Sequence, residues 1–202
     1  MRNIFILILS GLLFVSFSNE AFSQEQQNDN NEAQVYTRRP NVQVRFLGCA
    51  FGDKPVQVRN AVGKTGYYKN GDGYKYRNKN FGGVRWHSVD FGFDFTSELY
   101  YVTFTQVIDE AMAGDAVSTL AAGYAFFYVM LDSLKERYGN VFIDVSTDSR
   151  KEYEYRGPNN VEVTLSCFPG KSKYNKKAMI VELEYVDLTR DDAEYKIGVD
   201  EL

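Results

Sequence analysis

Four runs of the chain alternate apolar or aromatic residues with polar ones, and this alternation most constrains the fold. The runs cover residues 84–95, 99–108, 161–168 and 178–187. Successive side chains of a β-strand point to opposite faces, so alternation predicts strands with one buried and one polar face. Short turn sequences such as Gly82-Gly83 favour antiparallel neighbours. The sequence therefore predicts a large antiparallel sheet covered on its apolar face.

Two segments predict the helices that cover this sheet. In residues 53–63, Asp53 is expected to cap a short helix, Pro55 suits its first turn and Gly63 suits its end. Residues 115–138 carry apolar side chains at helical spacing. The predicted buried stripe is Val117, Leu120, Tyr124, Phe127, Leu131, Leu134 and Tyr138. The predicted fold class is α+β, with helices on one face of an antiparallel sheet.

A continuous core is expected between the long helix and the sheet. Its predicted members are Phe91, Phe93, Leu120, Phe127, Leu131, Leu165, Val181 and Leu183. The uncharged stretch of the helix, residues 116–131, is too short for a good membrane span. No transmembrane segment is therefore expected in the mature chain.

The first 23 residues have the pattern of a secretory signal peptide. Arg2 precedes an apolar block from Ile4 to Phe17, and small residues near Ser23 favour cleavage before Gln24. No Cys lies near this cut, so a lipid anchor is not expected. The sequence predicts a periplasmic or secreted protein.

The remaining chain divides into two halves with the same order of elements. We expect a polar, disordered lead-in over residues 24–40, a first half over 41–109, a second half over 110–190 and a charged tail over 191–202. Each half is predicted to contain a helix that ends in Gly, followed by a meander of about three antiparallel strands. This shared order suggests an internal duplication.

The run FLGCAFGDKPVQVRNAVG, residues 46–63, resembles the opening of two groups of small secreted bacterial domains. These are the β-lactamase-inhibitor-protein-like domains and the BamE-like outer-membrane assembly lipoproteins. The matching residues are Gly48, Phe51, Gly52, Asp53, Val58, Val62 and Gly63. The chain departs from the pattern at Asp53, where Ser or Thr is commoner, at Lys64-Thr65, which replace a Pro, and in lacking the anchor Cys. The resemblance implies an α+β architecture of tandem helix-and-meander units, and neither group's activity is carried over.

The strand at residues 84–95 holds the only Trp and the only His of the chain. Alternation predicts that Val89, Phe91, Phe93 and Phe95 point inward, and that His87 leans toward the helices. It places Trp86 on the polar face, and an exposed Trp is typical of docking surfaces. The predicted binding residues on this face and the next strand are Trp86, Ser88, Asp90, Asp94, Tyr101 and Thr103.

The sequence predicts no catalytic residues, no metal site and no cofactor. One His and two distant Cys do not form a recognisable ligand set, and no Ser sits in a nucleophile-elbow frame. Asp90 and Asp94 would lie about 13 Å apart on a strand, farther than the paired carboxylates of glycosidases. For Cys49 and Cys167 three alternatives remain: a disulfide, two buried free thiols, or a reactive thiol.

The charge balance argues against a nucleic-acid partner, because the formal net charge is −4 and no basic cluster is evident. The first hypothesis is a non-catalytic binding module that docks a protein or peptide of the cell envelope on the open sheet face. The second is carbohydrate or cell-wall binding through Trp86 and Tyr101, so that a glycan is an alternative partner. The third is a small extracytoplasmic hydrolase.

Overall fold

The structure is a computed structural model in which residues 39–64, 67–70, 73–174 and 176–190 are described. The predicted signal peptide, almost all of the lead-in and the charged tail lie outside these residues.

The first half of the described chain contains a two-stranded ribbon, a helix, and four strands of the main sheet. A small ribbon of β1 (Arg45–Phe46) and β2 (Cys49–Ala50) precedes helix α1 (Pro55–Val62). The strands that follow are β3 (Tyr67–Asn70), β4 (Gly73–Phe81), β5 (Val84–Phe93) and β6 (Leu99–Asp109). Of these, β3 is the strand that the sequence pattern missed.

The second half consists of two helices followed by four strands. It contains the short helix α2 (Glu110–Ala113) and the long helix α3 (Ala116–Tyr138). The strands are β7 (Ile143–Asp144), β8 (Lys151–Arg156), β9 (Val161–Lys171) and β10 (Lys177–Asp187). A common origin of the two halves stays a prediction.

These strands form one eight-stranded antiparallel sheet in the order β3-β4-β5-β6-β10-β9-β8-β7. The last strands of the two halves, β6 and β10, lie at the centre of the sheet and pair along most of their length. The predicted α+β class with an antiparallel sheet is therefore confirmed.

Both α1 and α3 lie on the same face of the sheet. The hydroxyl of Tyr76 in β4 donates to the carbonyl of Gly63 at 3.0 Å and holds the end of α1. From α3, Phe127 and Leu131 pack into the core, where they are joined by most of the predicted residues. The buried predicted residues are Phe91, Phe93, Phe127, Leu131, Leu165, Val181 and Leu183.

The first turns of α3 face the sheet with small residues, so the prediction that Leu120 and Val117 are buried is wrong. Leu120 is 47% exposed and Val117 is 78% exposed, whereas Thr119 and Gly123 are buried. A Cβ at Gly123 would lie 2.4 Å from the Cβ of Met179, so only glycine permits this close approach to β10. The small side of the helix therefore packs here, and the larger apolar side chains point outward.

Two further details of the helices are informative. Asp53 does not cap α1 as predicted, because its carboxylate accepts from the backbone N–H of Ala50 at 2.8 Å instead. Among the described residues, α3 is long and apolar enough to cross a membrane by length and composition alone, and its side chains Phe127 and Leu131 are buried in the core.

Candidate functional site

Trp86 lies in the core, so the prediction that it belongs to an exposed binding face is wrong. Its side chain is 0% exposed. The ring packs against Phe104 of β6 and Phe126 of α3, with centroids 5.6 and 5.9 Å away. The indole Nε1 donates to the carbonyl of Phe81 at 3.1 Å, which satisfies the buried polar group. Trp86 therefore stabilises the fold on the helix side of the sheet.

The alternation breaks where Asn78 of β4 faces His87 of β5. Asn78 has a φ of 54°, in the left-handed region that Asn adopts more readily than most residues. As a result Tyr76 and Lys79, three residues apart, share the helix side, and the Lys79 Nζ lies 5.2 Å from the Tyr76 ring centroid. Trp86 is the cross-strand partner of Lys79 and follows it to that side.

The same break carries His87 outward, so its predicted position toward the helices is also wrong. His87 is exposed, and its backbone N–H donates to the side chain of Gln106 at 3.2 Å. Partial burial of the ring and the nearby cations Arg77 and Lys173 lower the pKa of His87. The imidazole therefore lies in a basic environment that disfavours its protonation.

Four of the six predicted binding residues do meet on the face of the sheet opposite α1 and α3. We call this surface the polar face. Two of its rows cross six strands, and Tyr101 and Glu162 lie in the adjoining row. One row is Arg77, Ser88, Thr105, Glu182, Ser166 and Glu152. The other is Lys75, Asp90, Thr103, Glu184, Thr164 and Glu154.

Long side chains on the polar face cover the short ones. Ser88 and Ser166 are only 3% and 1% exposed. Arg150 donates to the Ser166 hydroxyl at 2.8 Å, pairs with Glu152, and approaches Glu182 to within 3.8 Å. This network fixes the β8–β9 side of the polar face.

On the β4–β5 side of the polar face, an ion pair with Lys75 holds the predicted residue Asp90. The Nζ of Lys75 lies 2.7 Å from the carboxylate of Asp90, whose side chain is 12% exposed. Next to it, Thr103 donates to the carboxylate of Glu184 at 2.8 Å. Asp90 and Thr103 therefore each hold a neighbouring strand in register on the polar face.

Carboxylates concentrate at the centre of the polar face. Burial and the neighbouring Glu154 raise the pKa of Glu162. Burial also raises the pKa of Glu182, to which Glu184 adds repulsion while Arg150 opposes the shift. These groups repel one another in partly dehydrated positions, so the centre of the face attracts cations.

Tyr101 contributes an aromatic ring to this face and depends on a glycine opposite. Tyr101 pairs with Gly92 across β5 and β6, and a Cβ at Gly92 would lie 1.8 Å from the Tyr101 Cε1. The ring therefore lies over the backbone of Gly92. Burial, with Asp90 and Glu184 nearby, raises the pKa of Tyr101.

Asp94 does not present a free carboxylate on the polar face as predicted, because it is buried and already hydrogen-bonded. One carboxylate oxygen accepts from the backbone N–H groups of Thr96 and Glu98, both at 2.9 Å. The other oxygen accepts from Arg190 at 3.1 Å. Burial opposes ionisation of Asp94, but these hydrogen bonds outweigh it and lower its pKa. Asp94 therefore organises the β5–β6 turn and holds the end of the described chain.

The two cysteines are free and buried in the core, so the disulfide alternative is not realised in this structure. Burial raises the pKa of each thiol to about 12. A thiol with this pKa carries very little thiolate at neutral pH and is a poor nucleophile. Within the described ranges, no group of three or more His, Cys, Asp or Glu side chains is arranged to hold a metal ion.

A shallow cavity of about 430 Å³ lies at the opposite end of the sheet from the β4–β5 turn. Tyr74, Phe93 and Phe95 supply aromatic walls, and Lys69 supplies a cation. Phe95 is 60% exposed there, which corrects its predicted inward position. Asp94 also borders this cavity, but its carboxylate is occupied by the turn and Arg190.

Sequence reasoning missed the residues that complete the polar face. Arg150 precedes its strand in a loop, so alternation gives no indication of its contact with Ser166. Asn78 had a detectable signal, since Asn within a strand pattern is a candidate for the left-handed region.

Comparison of the chain with models of protein families, with curated proteins and with solved structures finds no match.

Proposed function

We propose that this protein is a non-catalytic binding module of the periplasm or cell exterior, and that its polar face docks a protein or peptide segment carrying Lys and Arg. The observation that carries the proposal is the pair of polar rows across six strands, on the face opposite α1 and α3. The extracytoplasmic location rests on the signal-peptide pattern of the first residues.

Charge complementarity selects a basic partner. Glu184 lies close enough to Glu162 and to Glu182 for its charge to help raise the pKa of each. A Lys or Arg side chain placed among them offsets this repulsion and replaces lost water. Carboxylates that are held in place by Thr103 and Arg150 lose little further freedom when they bind.

The alternatives are supported less well. Carbohydrate binding required Trp86 and Tyr101 as stacking surfaces, and Trp86 is buried. Hydrolysis required an activated nucleophile, and the buried thiols with pKa values of about 12 do not supply one. The resemblance to β-lactamase-inhibitor-protein-like and BamE-like domains is compatible with a non-catalytic role and remains part of the proposal.

The test is an array of peptides that vary in Lys and Arg content, with a glycan array beside it. The double variant Glu182→Gln/Glu184→Gln removes two charges from the centre of the polar face. We expect its affinity for basic peptides to fall on the order of tenfold, with a weaker salt dependence.

The matched control is Asp132→Asn/Glu136→Gln, which removes two exposed charges from α3. This variant is expected to bind basic peptides as the parent does. Equal losses in both double variants would show that only the net charge matters, and selective glycan binding would favour the carbohydrate alternative; either result contradicts the proposal.

A further inference from the structure

We propose that a second surface, at the end of the molecule where the β9–β10 hairpin meets the start of α3, binds the surface of an anionic lipid membrane. We call it the lysine end. It comprises Met112, Val117, Leu120, Tyr174, Lys171, Lys173, Lys176 and Lys177. Its residues are distinct from those of the polar face, and the proposal does not depend on the function proposed for that face.

Strand register brings the parts of the lysine end together. Ala178, at the start of β10, lies opposite Asp109, the last residue of β6. The chain continues from Asp109 directly into α2 and then α3. Since Gly123 packs against Met179, the first turns of α3 lie beside the start of β10 and the hairpin that precedes it.

Apolar side chains are unusually exposed at this end. Val117 is 78% exposed, Tyr174 is 69%, Met112 is 60% and Leu120 is 47%. No charged residue occurs in α3 from Ala116 to Leu131. Clusters of exposed apolar side chains mark interaction surfaces on proteins.

The lysines form a basic cluster that the acidic balance of the whole chain conceals. Lys171, Lys173, Lys176 and Lys177 are all exposed, and the run KSKYNKK over residues 171–177 contains no acid. The Nζ of Lys173 lies 4.6 Å from the ring centroid of Tyr174. Lys177 is two residues from the buried Met179 on β10, so both side chains point to the face of the sheet that α3 covers. Lys171 is the cross-strand partner of Lys177 and lies on the same face.

Three acids also lie near this end, and two of them act as helix caps. Asp109 accepts from backbone N–H groups of α2, and Asp115 accepts from those of Val117 and Ser118 in α3. The third, Glu110, opens α2. The positive ends of the two helices partly balance the capping carboxylates, whereas the lysines of the hairpin project beyond them.

An anionic membrane surface matches both properties of the lysine end. Exposed apolar side chains enter the boundary between headgroups and acyl chains, and Lys side chains remain with the anionic headgroups. Each Lys near such a surface strengthens binding about fivefold. A purely electrostatic partner would leave Val117 and Leu120 in water, so it would not account for their exposure.

The experiment measures partitioning onto vesicles of equal parts phosphatidylglycerol and phosphatidylcholine, with pure phosphatidylcholine vesicles for comparison. The protein is isolated after export, and intact mass establishes its N-terminus, which is then the same in every variant. We expect Lys173→Ala/Lys176→Ala to lower partitioning onto the anionic vesicles on the order of tenfold. The control Lys64→Ala/Lys69→Ala, which removes two exposed lysines elsewhere, should change it less than about twofold.

A second pair of variants tests the apolar contribution. Val117→Ser/Leu120→Ser should weaken binding to the anionic vesicles several-fold, whereas Val56→Ser/Ile143→Ser should not. Val56 and Ile143 are 52% and 62% exposed and lie outside the lysine end, so they match the change in surface chemistry. The proposal is overturned if phosphatidylglycerol gives no advantage, if the control pairs lose as much binding, or if the Val117/Leu120 variant alters only self-association in sedimentation equilibrium.

Discussion

Replacing Trp86 with Ala should destabilise the protein severely, because the indole is fully buried against β6 and α3. Removal of a buried Trp side chain costs about 3–5 kcal/mol, through lost transfer free energy and the cavity that remains. The substitution also leaves the Phe81 carbonyl without the Nε1 donor. A small domain has only about 5–15 kcal/mol of stability in total, so much of it should be lost.

The assay is urea unfolding followed by far-UV circular dichroism, since Trp86 is the only Trp and its fluorescence disappears with it. Trp86→Phe keeps most of the apolar volume and should cost about 1–2 kcal/mol, mainly from the missing hydrogen bond. The control is Phe95→Ala, which removes an aromatic that is 60% exposed and should cost less than about 0.5 kcal/mol. If Trp86→Ala costs no more than Phe95→Ala, the packing of β5 against α3 described above is wrong.

Three further predictions concern the strands that build the polar face. In urea unfolding, Asn78→Val should cost about 1–2 kcal/mol and Asn78→Gly should be near neutral, because a β-branched residue is strained at positive φ; equal costs would contradict the break in alternation. Gly92→Ala should cost about 1–3 kcal/mol of stability, because the new Cβ would overlap the Tyr101 ring. Adding Tyr101→Ala should recover part of this stability, and strictly additive costs of the two substitutions would show that the ring lies elsewhere. The folded state raises the pKa of Glu182 above its ordinary value of 4.5, mainly through burial, so the unfolded state binds fewer protons. Stability should therefore fall as pH rises from 4.5 through the folded pKa. Thermal melts of Glu182→Gln should show a smaller fall with pH than the parent does, and an unchanged profile would contradict the raised pKa.

Most of the fold follows from periodicity in the sequence. The alternating runs coincide with β5, β6, β9 and β10 to within a few residues. Helical spacing identifies α3 up to Tyr138, and Gly139 follows its end. These elements are long and strongly patterned, so their local preferences agree with their packing. The short strand β3 lacks such a pattern and is formed by its pairing with β4.

The errors have specific physical causes. A single left-handed residue, Asn78, reverses which face β5 presents at Trp86 and His87, and counting by twos cannot anticipate it. Gly123 turns the small side of α3 toward β10, which exposes Leu120 against the helical stripe. Asp94 follows the alternation, yet its carboxylate is used by the adjoining turn and by Arg190, a residue distant in sequence.

The predicted positions of residues on the polar face agree with the structure where register alone determines them. Ser88, Asp90 and Thr103 lie in the unbroken part of β5 and β6, and their neighbours across the sheet are as the alternation requires. The acidic character of the polar face arises from β10 and β8, which the chain reaches much later. The strand order places Glu182 and Glu184 of β10 two strands from Asp90, with β6 between them.

The location of a basic peptide on the protein tests the central claim most directly. We would titrate ¹⁵N-labelled protein with the tightest-binding Lys- and Arg-containing peptide and follow backbone amide shifts by NMR. The account predicts changes centred on the strands that carry Thr103, Glu184 and Thr164, which shrink as salt is added. Changes centred on α3 or on the cavity beside Phe95, with the polar face unaffected, would contradict it.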